Sequence, residues 1–184
     1  MTDSRTVYLI VCAAPPAGDA AAFVRHAVVS GWDCHVIGTP SATGFMDVDA
    51  LEAASGHPVT FEHRRAGAPR RNRPPADAAV IAPATANTIN RLAAGFGGNY
   101  ALDLTSELIG LHIPVAVVPF VNTALADRAP FKRSIASLRD EGVEILLNED
   151  GSRPHPPHGG AEYREKFPWE AAMAAVSNST RSQD

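Results

Sequence analysis

Hydrophobic positions along this chain fall into two patterns that alternate from end to end. Short unbroken apolar runs are followed by longer stretches in which apolar residues return every three or four positions. The first pattern predicts strands buried on both faces, the second amphipathic helices. Val7 to Ala13 predicts a first strand, broken by Pro15-Pro16-Ala17-Gly18. Asp19 stands where a helix cap belongs, ahead of a helix through Ser30 with Ala22, Phe23, His26, Ala27 and Val29 on its core side; Gly31 ends it. Further strands are predicted at 34–38, 78–82, 114–118 and 143–147. Helices are predicted at 48–54 behind a capping Asp47, and at 86–94, 101–110, 130–141 and 169–176. Pro58 to Arg65 reads as a short extended segment, 66–75 as loop, 148–168 as irregular, and the tail after Ser177 as frayed.

Strands alternating with helices imply parallel βαβ units. The expected fold class is α/β, a Rossmann-like doubly wound parallel sheet in a single three-layer domain over 1–184. Its core is expected at about 6–147, with an irregular lid at 148–168 and a C-terminal helix at 169–177. Ligands bind such sheets outside the carboxyl ends of the strands. The loops at 12–19, 38–45, 82–88 and 119–125 should therefore converge on one edge.

Composition narrows the field. The chain has 184 residues, 45% hydrophobic and 20% charged, as an ordinary globular domain does. A net charge of −4 gives no basic footprint for nucleic acid. No apolar run approaches the roughly 18 residues of a membrane span, and no signal peptide is visible. The expectation is a soluble, cytoplasmic protein. Cys12 and Cys34 each lie inside an apolar segment and read as buried free thiols. Arg64, Arg65, Arg70, Arg71 and Arg73 form either a solvated loop or an arm that meets an anionic substrate or a neighbouring subunit.

Candidate chemistry concentrates after the third strong strand. Thr85, Asn87 and Thr88 place short polar groups at its carboxyl end, beside the free N–H groups of a helix's first turn. That arrangement holds anions and phosphorylated cofactors, although Asn87 and Thr88 could equally serve as caps. The run Pro83-Ala84-Thr85-Ala86-Asn87-Thr88 resembles the Pro-Ala-Ser-Ala-Asn-Thr motif of the FMN-binding cysteine decarboxylases. That family includes the lantibiotic peptidyl-cysteine decarboxylases and phosphopantothenoylcysteine decarboxylase, with flavin prenyltransferases as relatives. Pro119-Phe120-Val121-Asn122-Thr123-Ala124-Leu125 is similar to the family's Pro-x-Met-Asn-x-x-Met motif. Pro119 and Asn122 match, and Val121 and Leu125 replace the two methionines.

The resemblance implies FMN as cofactor, with Ala13, Ala14, Ser41, Pro83, Thr85, Asn87 and Thr88 around it. It implies that Asn122, which could otherwise be a cap, orients a substrate carboxylate. It also implies oxidative decarboxylation of a cysteine-like thiol, on a small molecule or a peptide, by a homo-oligomer (a trimer or its multiple) with cofactor between neighbouring chains. The chain departs from the family in three places. Pro15 and Pro16 remove N–H donors from the first loop. Where the family carries a catalytic histidine, this chain has Pro69 to Arg73, and His63 is the nearest histidine. The segment from Arg153 to Gly160 has no cysteine.

His155 and His158 in that segment either supply acid–base groups from a lid over the flavin or belong to a proline-stiffened surface loop. Two histidines alone do not argue for a metal, and none is expected. Tyr163 and Trp169 either close an apolar pocket or anchor the last helix. Two other functions stay open: a flavin prenyltransferase or other flavin-dependent transferase, and a non-catalytic flavin-binding subunit.

Overall fold

The computed structural model describes residues 4–64, 67, 73–147 and 152–181. Thr6–Val11 forms β1 and leads through a 3-10 turn, Pro15–Asp19, into α1, Ala21–Val29. There follow β2 (Asp33–Gly38), a second 3-10 turn (Pro40–Gly44), α2 (Val48–Ser55), β3 (Ala78–Ala84), α3 (Ala86–Ala93) and α4 (Tyr100–Gly110). The chain continues through β4 (Val115–Pro119), the single turn α5 (Thr123–Ala126), α6 (Ala129–Asp140) and β5 (Glu144–Ile145). It ends in α7 (Gly160–Tyr163), a 3-10 turn at Arg164–Lys166 and α8 (Trp169–Arg181).

All strands pair in parallel, in the order β2-β1-β3-β4-β5. This is the doubly wound order, and its direction reverses between β1 and β3. The sheet is buried on both faces because successive side chains of a strand point to opposite sides. Val7, Leu9, Val11, Cys34, Val36, Val80 and Val118 share one core with α1 and α8. Tyr8, Ile10, Ile37, Ala79, Ile81 and Val117 share the other with α3, α4 and α6. The three-layer α/β fold read from the sequence is therefore the observed one.

Helix boundaries follow local chemistry. Asp47 Oδ1 accepts from Ala50 N at 3.0 Å and starts α2, and Gly56, at φ 73°, ends it in the left-handed conformation. Asn99 Oδ1 does the same for α4, accepting from Leu102 N at 3.0 Å.

Four expectations are corrected. Asp19 does not cap α1; that helix starts after Ala20 with no side-chain cap, and Asp19 is bound to Arg164 instead. The buried stripe of α1 is Ala21, Phe23, Val24 and Ala27, so His26 is exposed and Val29 is 88% exposed. A stripe that starts one residue earlier turns those positions to solvent. β5 is shorter than expected, two residues at Glu144–Ile145 at the sheet edge beside β4. α8 does not fray after Ser177 but runs to Arg181, since Ala172, Met173 and Val176 dock it into the first core. Two smaller elements were not expected from the sequence, α5 and α7. Most of the arginine-rich loop, including Arg65, Arg70 and Arg71, lies outside the described residues, as does the position where the family histidine would stand.

Candidate functional site

The point where the strand order reverses, between β1 and β3, gathers the loops that the sequence singled out. Cys12 N donates to Pro83 O at 3.1 Å, which joins the end of β1 to the start of the Pro83–Thr88 segment. Thr39 N donates to Val11 O at 2.9 Å and brings in the loop after β2. Phe120 N donates to Ala84 O at 2.8 Å and brings in the loop after β4. Ala13, Ala14, Ser41, Pro83, Thr85, Asn87, Thr88 and Asn122 thus all stand on segments at one sheet edge. Pro83 is buried and follows a cis peptide bond.

Their local roles differ. Thr85 is the N-cap of α3: its hydroxyl accepts from Thr88 N at 3.3 Å and donates to Thr88 Oγ1 at 3.1 Å. Thr88 is buried and takes the Cys12 thiol as a donor at 3.4 Å. Burial pushes the Cys12 thiol above its ordinary pKa, so it is a protonated, inert group. Thr85 and Thr88 therefore spend side-chain hydrogen bonds inside the protein. Asn87, one residue into α3, and Ser41, in the turn after β2, are exposed. Ala14 is buried and opens the first 3-10 turn with its carbonyl, and Ala13 is half-buried.

Asn122 caps α5 by accepting from Leu125 N at 2.9 Å, which leaves its amide N–H donors outside the cap. Its backbone pairs with His155. His155 N donates to Val121 O at 3.1 Å, and Thr123 N donates to His155 O at 2.8 Å. The His155 ring is buried, packs on Phe120 with centroids 4.8 Å apart, and lies 5.8 Å from Tyr163. Its Nδ1 donates to the Pro156 carbonyl at 2.8 Å, which leaves Nε2 outside that bond. His158 is exposed, with φ 66°. The structure brings His155 to Asn122 and leaves His158 in the outer turn.

The 152–168 segment is fastened to the same edge. Arg164 grips Asp19 with two hydrogen bonds, 2.5 and 2.7 Å long. That fork lowers the Asp19 carboxyl pKa. Trp169 stacks edge-on against Phe23 and Phe167 and is an anchor of α8; Tyr163 stands beside His155.

One side-chain cluster was not expected from the sequence. Asp33 and His35, two residues apart on β2, project to the same face, and His57 reaches them from the turn after α2. The His35 and His57 Nε2 atoms lie 3.1 and 2.6 Å from the two Asp33 oxygens. Burial pushes the His35 imidazole below its usual pKa, against the pull of Asp33. Burial would raise the Asp33 carboxyl, but hydrogen bonds from His57 and His35 outweigh it and hold it low. Burial, with Asp33 alongside, drives the Cys34 thiol up to about 12. The signal in the sequence was the i, i+2 spacing on a strand. His63, the nearest stand-in for the family histidine, is held by Asp103 at 2.7 Å and by the edge of Tyr100.

Comparison with known proteins identifies the family and the fold. The model of the Flavoprotein family matches residues 2–166. The chain belongs to that family. It is 31% identical over 156 residues to the coenzyme A biosynthesis bifunctional protein CoaBC of Bacillus subtilis, covering 82% of this chain and 38% of the relative. It is 27% identical over 128 residues to CoaBC of Thermococcus kodakarensis, covering 66% and 31%. The chain thus spans about a third of the length of these curated relatives. Among solved structures, the FMN-dependent cysteine decarboxylase TvaF from thioviridamide biosynthesis superposes with a TM-score of 0.71 at 21% identity, over 94% of this chain and 98% of that one. A PPC decarboxylase variant complexed with pantothenoylaminoethenethiol gives 0.66 at 22% identity, over 80% and 84%. AnUbiX in complex with FMN and dimethylallyl pyrophosphate gives 0.66 at 13% identity, over 79% of each chain. These likenesses establish the fold. Among the described residues, no helix is long and apolar enough to cross a membrane.

Proposed function

We propose that this flavoprotein binds FMN at the carboxyl edge of the sheet and uses it in oxidative decarboxylation of a cysteine-like thiol carboxylate. The observation that carries the reading is the convergence of the Pro83–Thr88 and Pro119–Leu125 segments at the strand-order reversal, with His155 bonded to the second. The donors there suit the cofactor. They are neutral hydroxyls, the Asn87 amide and the first-turn N–H groups of α3, a helix of eight residues. The one carboxylate of these four loops, Asp19, is neutralised by Arg164. Bound FMN would supply a two-electron acceptor.

The chain's own groups have definable tasks. The Asn122 amide N–H donors bind the substrate carboxylate. His155 Nε2 accepts the thiol proton, and its Nδ1–H bond to the Pro156 carbonyl stabilises the cation that results. Phe120 and Tyr163 give the reacting carbon apolar walls. Removal of two electrons and a proton from the thiolate-bearing carbon yields a thioaldehyde, which then releases carbon dioxide. The likeness to TvaF, an FMN-dependent cysteine decarboxylase, supports a thiol carboxylate as the substrate class.

The test is anaerobic. FMN-loaded protein mixed with a panel of cysteine-ending peptides and thiol acids should lose its oxidised-flavin absorbance with at least one member and release carbon dioxide. Protein that holds no flavin after FMN addition ends the reading. His155→Ala should slow bleaching by at least tenfold, about 1.4 kcal/mol, and His158→Ala by less. If neither variant nor the double variant loses tenfold, the histidine role is removed and FMN binding is untouched. A second reading, prenyl transfer, draws on the likeness to AnUbiX. Conversion of FMN with dimethylallyl pyrophosphate, and no thiol-dependent bleaching, would favour it.

A further inference from the structure

We propose that Asp33, His35 and His57 form a binding site for a divalent transition-metal ion of the zinc class. The site lies in the first half of β2, whereas the proposed flavin edge follows Gly38, and it does not depend on that reading. Its three donor atoms lie within 4.8 Å of one another. Two imidazoles and a carboxylate make a borderline-soft donor set that suits zinc, cobalt or nickel over calcium or magnesium.

Placement argues for more than a structural tie. The 56–60 turn is already fastened to β2 by its backbone: Gly38 N donates to Thr60 O at 2.9 Å, and Thr60 N to Val36 O at 3.0 Å. A side-chain cluster is not needed to hold it there. The donors are also graded in exposure. His35 is buried, while the side chains of Asp33 and His57 are 28% and 35% exposed. The open side faces a cleft of about 730 Å³ whose lining includes Thr43, Thr60, Phe61 and Arg73. Three protein ligands with the fourth position open to a cleft is the arrangement of a reactive metal site rather than a closed structural one.

The groups around the donors set its chemistry. Tyr8 places its ring edge-on to His35, with centroids 6.1 Å apart, and packs that imidazole in place. The Arg73 guanidinium lies over the Tyr8 ring, 4.5 Å from its centroid. Its charge favours an anionic group, such as a carboxylate or a hydroxide, in the open position. The His35 and His57 rings are stacked 4.0 Å apart and inclined by only 19°, and each Nε2 faces an Asp33 oxygen, so an entering ion would replace the protons that join them. Coordination requires one ring to tilt. His57 is the ring that can, being half-exposed and carried on a turn after Gly56.

The experiment uses the full chain without an affinity tag, stripped with a chelator and titrated with Zn²⁺ and Co²⁺ by calorimetry and visible absorption. The expected result is one ion per chain, with Co²⁺ giving the intense visible bands of four-coordinate geometry. Asp33→Asn and His57→Gln should each weaken binding at least tenfold, and His112→Ala, at an exposed position, should leave it unchanged. No saturable binding, or equal affinity in all three variants, overturns the proposal. Should a variant fail to fold by circular dichroism, nitrogen-15 spectra of the unaltered chain decide. Zn²⁺ must then move the Nε2 resonances of His35 and His57 ahead of His26 and His112, and if it does not, the proposal falls.

Discussion

Thr85 and Asn87 sit two positions apart and have opposite jobs. Thr85 closes the first turn of α3 with its own hydroxyl, so Thr85→Ala should destabilise the fold by about 1 kcal/mol, the usual cost of a lost N-cap. Asn87 is exposed and supports nothing in the described structure. Asn87→Ala should leave the denaturation midpoint within the range of a surface substitution, about 0.5 kcal/mol. It should nevertheless weaken FMN binding by about 1–3 kcal/mol, as should Ser41→Ala, through loss of a hydrogen bond to a charged or buried group. Urea melts of the apoprotein and fluorescence titration with FMN separate the two effects. Equal flavin affinity in both exposed-site variants would move the site elsewhere. The same contrast was only half legible in the sequence. The Thr85-Ala86-Asn87-Thr88 spacing shows a cap followed by donors, but not which hydroxyl is consumed by the cap.

At the scale of elements, the α3 helix and the 152–168 segment, which would carry the proposed site, are held by different means. α3 is held by Ile89 and Leu92, both in the second core. Ile89→Ala should cost about 2–5 kcal/mol in urea denaturation because a fully buried branched side chain leaves a cavity. The 152–168 segment is held by its strand-like pairing with Asn122 and by the Asp19–Arg164 fork. Both partners of that fork are partly exposed, so Asp19→Asn should cost less than about 1 kcal/mol. Its pH dependence has a fixed sign. The folded state holds the Asp19 pKa below the ordinary carboxylate value. The fork's contribution is therefore complete above that ordinary value and is lost as pH falls through the lower folded one. The gap in melting temperature between wild type and Asp19→Asn should be constant near neutrality and close only in acid. A gap that closes near pH 6–7, in the range where histidine titrates, would assign the effect to another group.

At the scale of the whole molecule, we expect a homo-oligomer. The family resemblance implies one, and the apolar residues of α4 would argue the same way, but the structure accounts for most of them internally. Leu102 and Leu108 are buried, Leu104 and Ile109 pack against the same core, and Leu111 alone is 63% exposed. Beside the resemblance stand exposed apolar side chains outside α4, among them Val29, Phe45, Leu125 and Phe96, the last also 63% exposed. Light scattering at micromolar concentration should give a trimer or a multiple of it, and Phe96→Asp should lower the mass. A monomeric mass for the unaltered chain would refute the expectation.

The order of strands and helices, the doubly wound fold and the convergence of the four loops on one sheet edge were determined by the sequence alone. Apolar runs two or more turns apart can satisfy burial on both faces only as parallel strands with helices between them. The capping roles of Asp47 and the closing role of Gly56 were local, and so were readable too. Tertiary structure decided what depends on partners distant in the chain. Asp19 looked like a cap and became the counterion of Arg164, 145 residues away. The stripe of α1 keeps Phe23 and Ala27 but takes in Ala21 and Val24 in place of His26 and Val29, the face that docks on α2, α8 and β2. His155 reached Asn122 through backbone pairing that no spacing encodes, and His57 met Asp33 and His35 because the turn after α2 folds back onto the edge strand. Local chemistry fixes the elements, whereas contacts that close long loops are chosen by the packed whole.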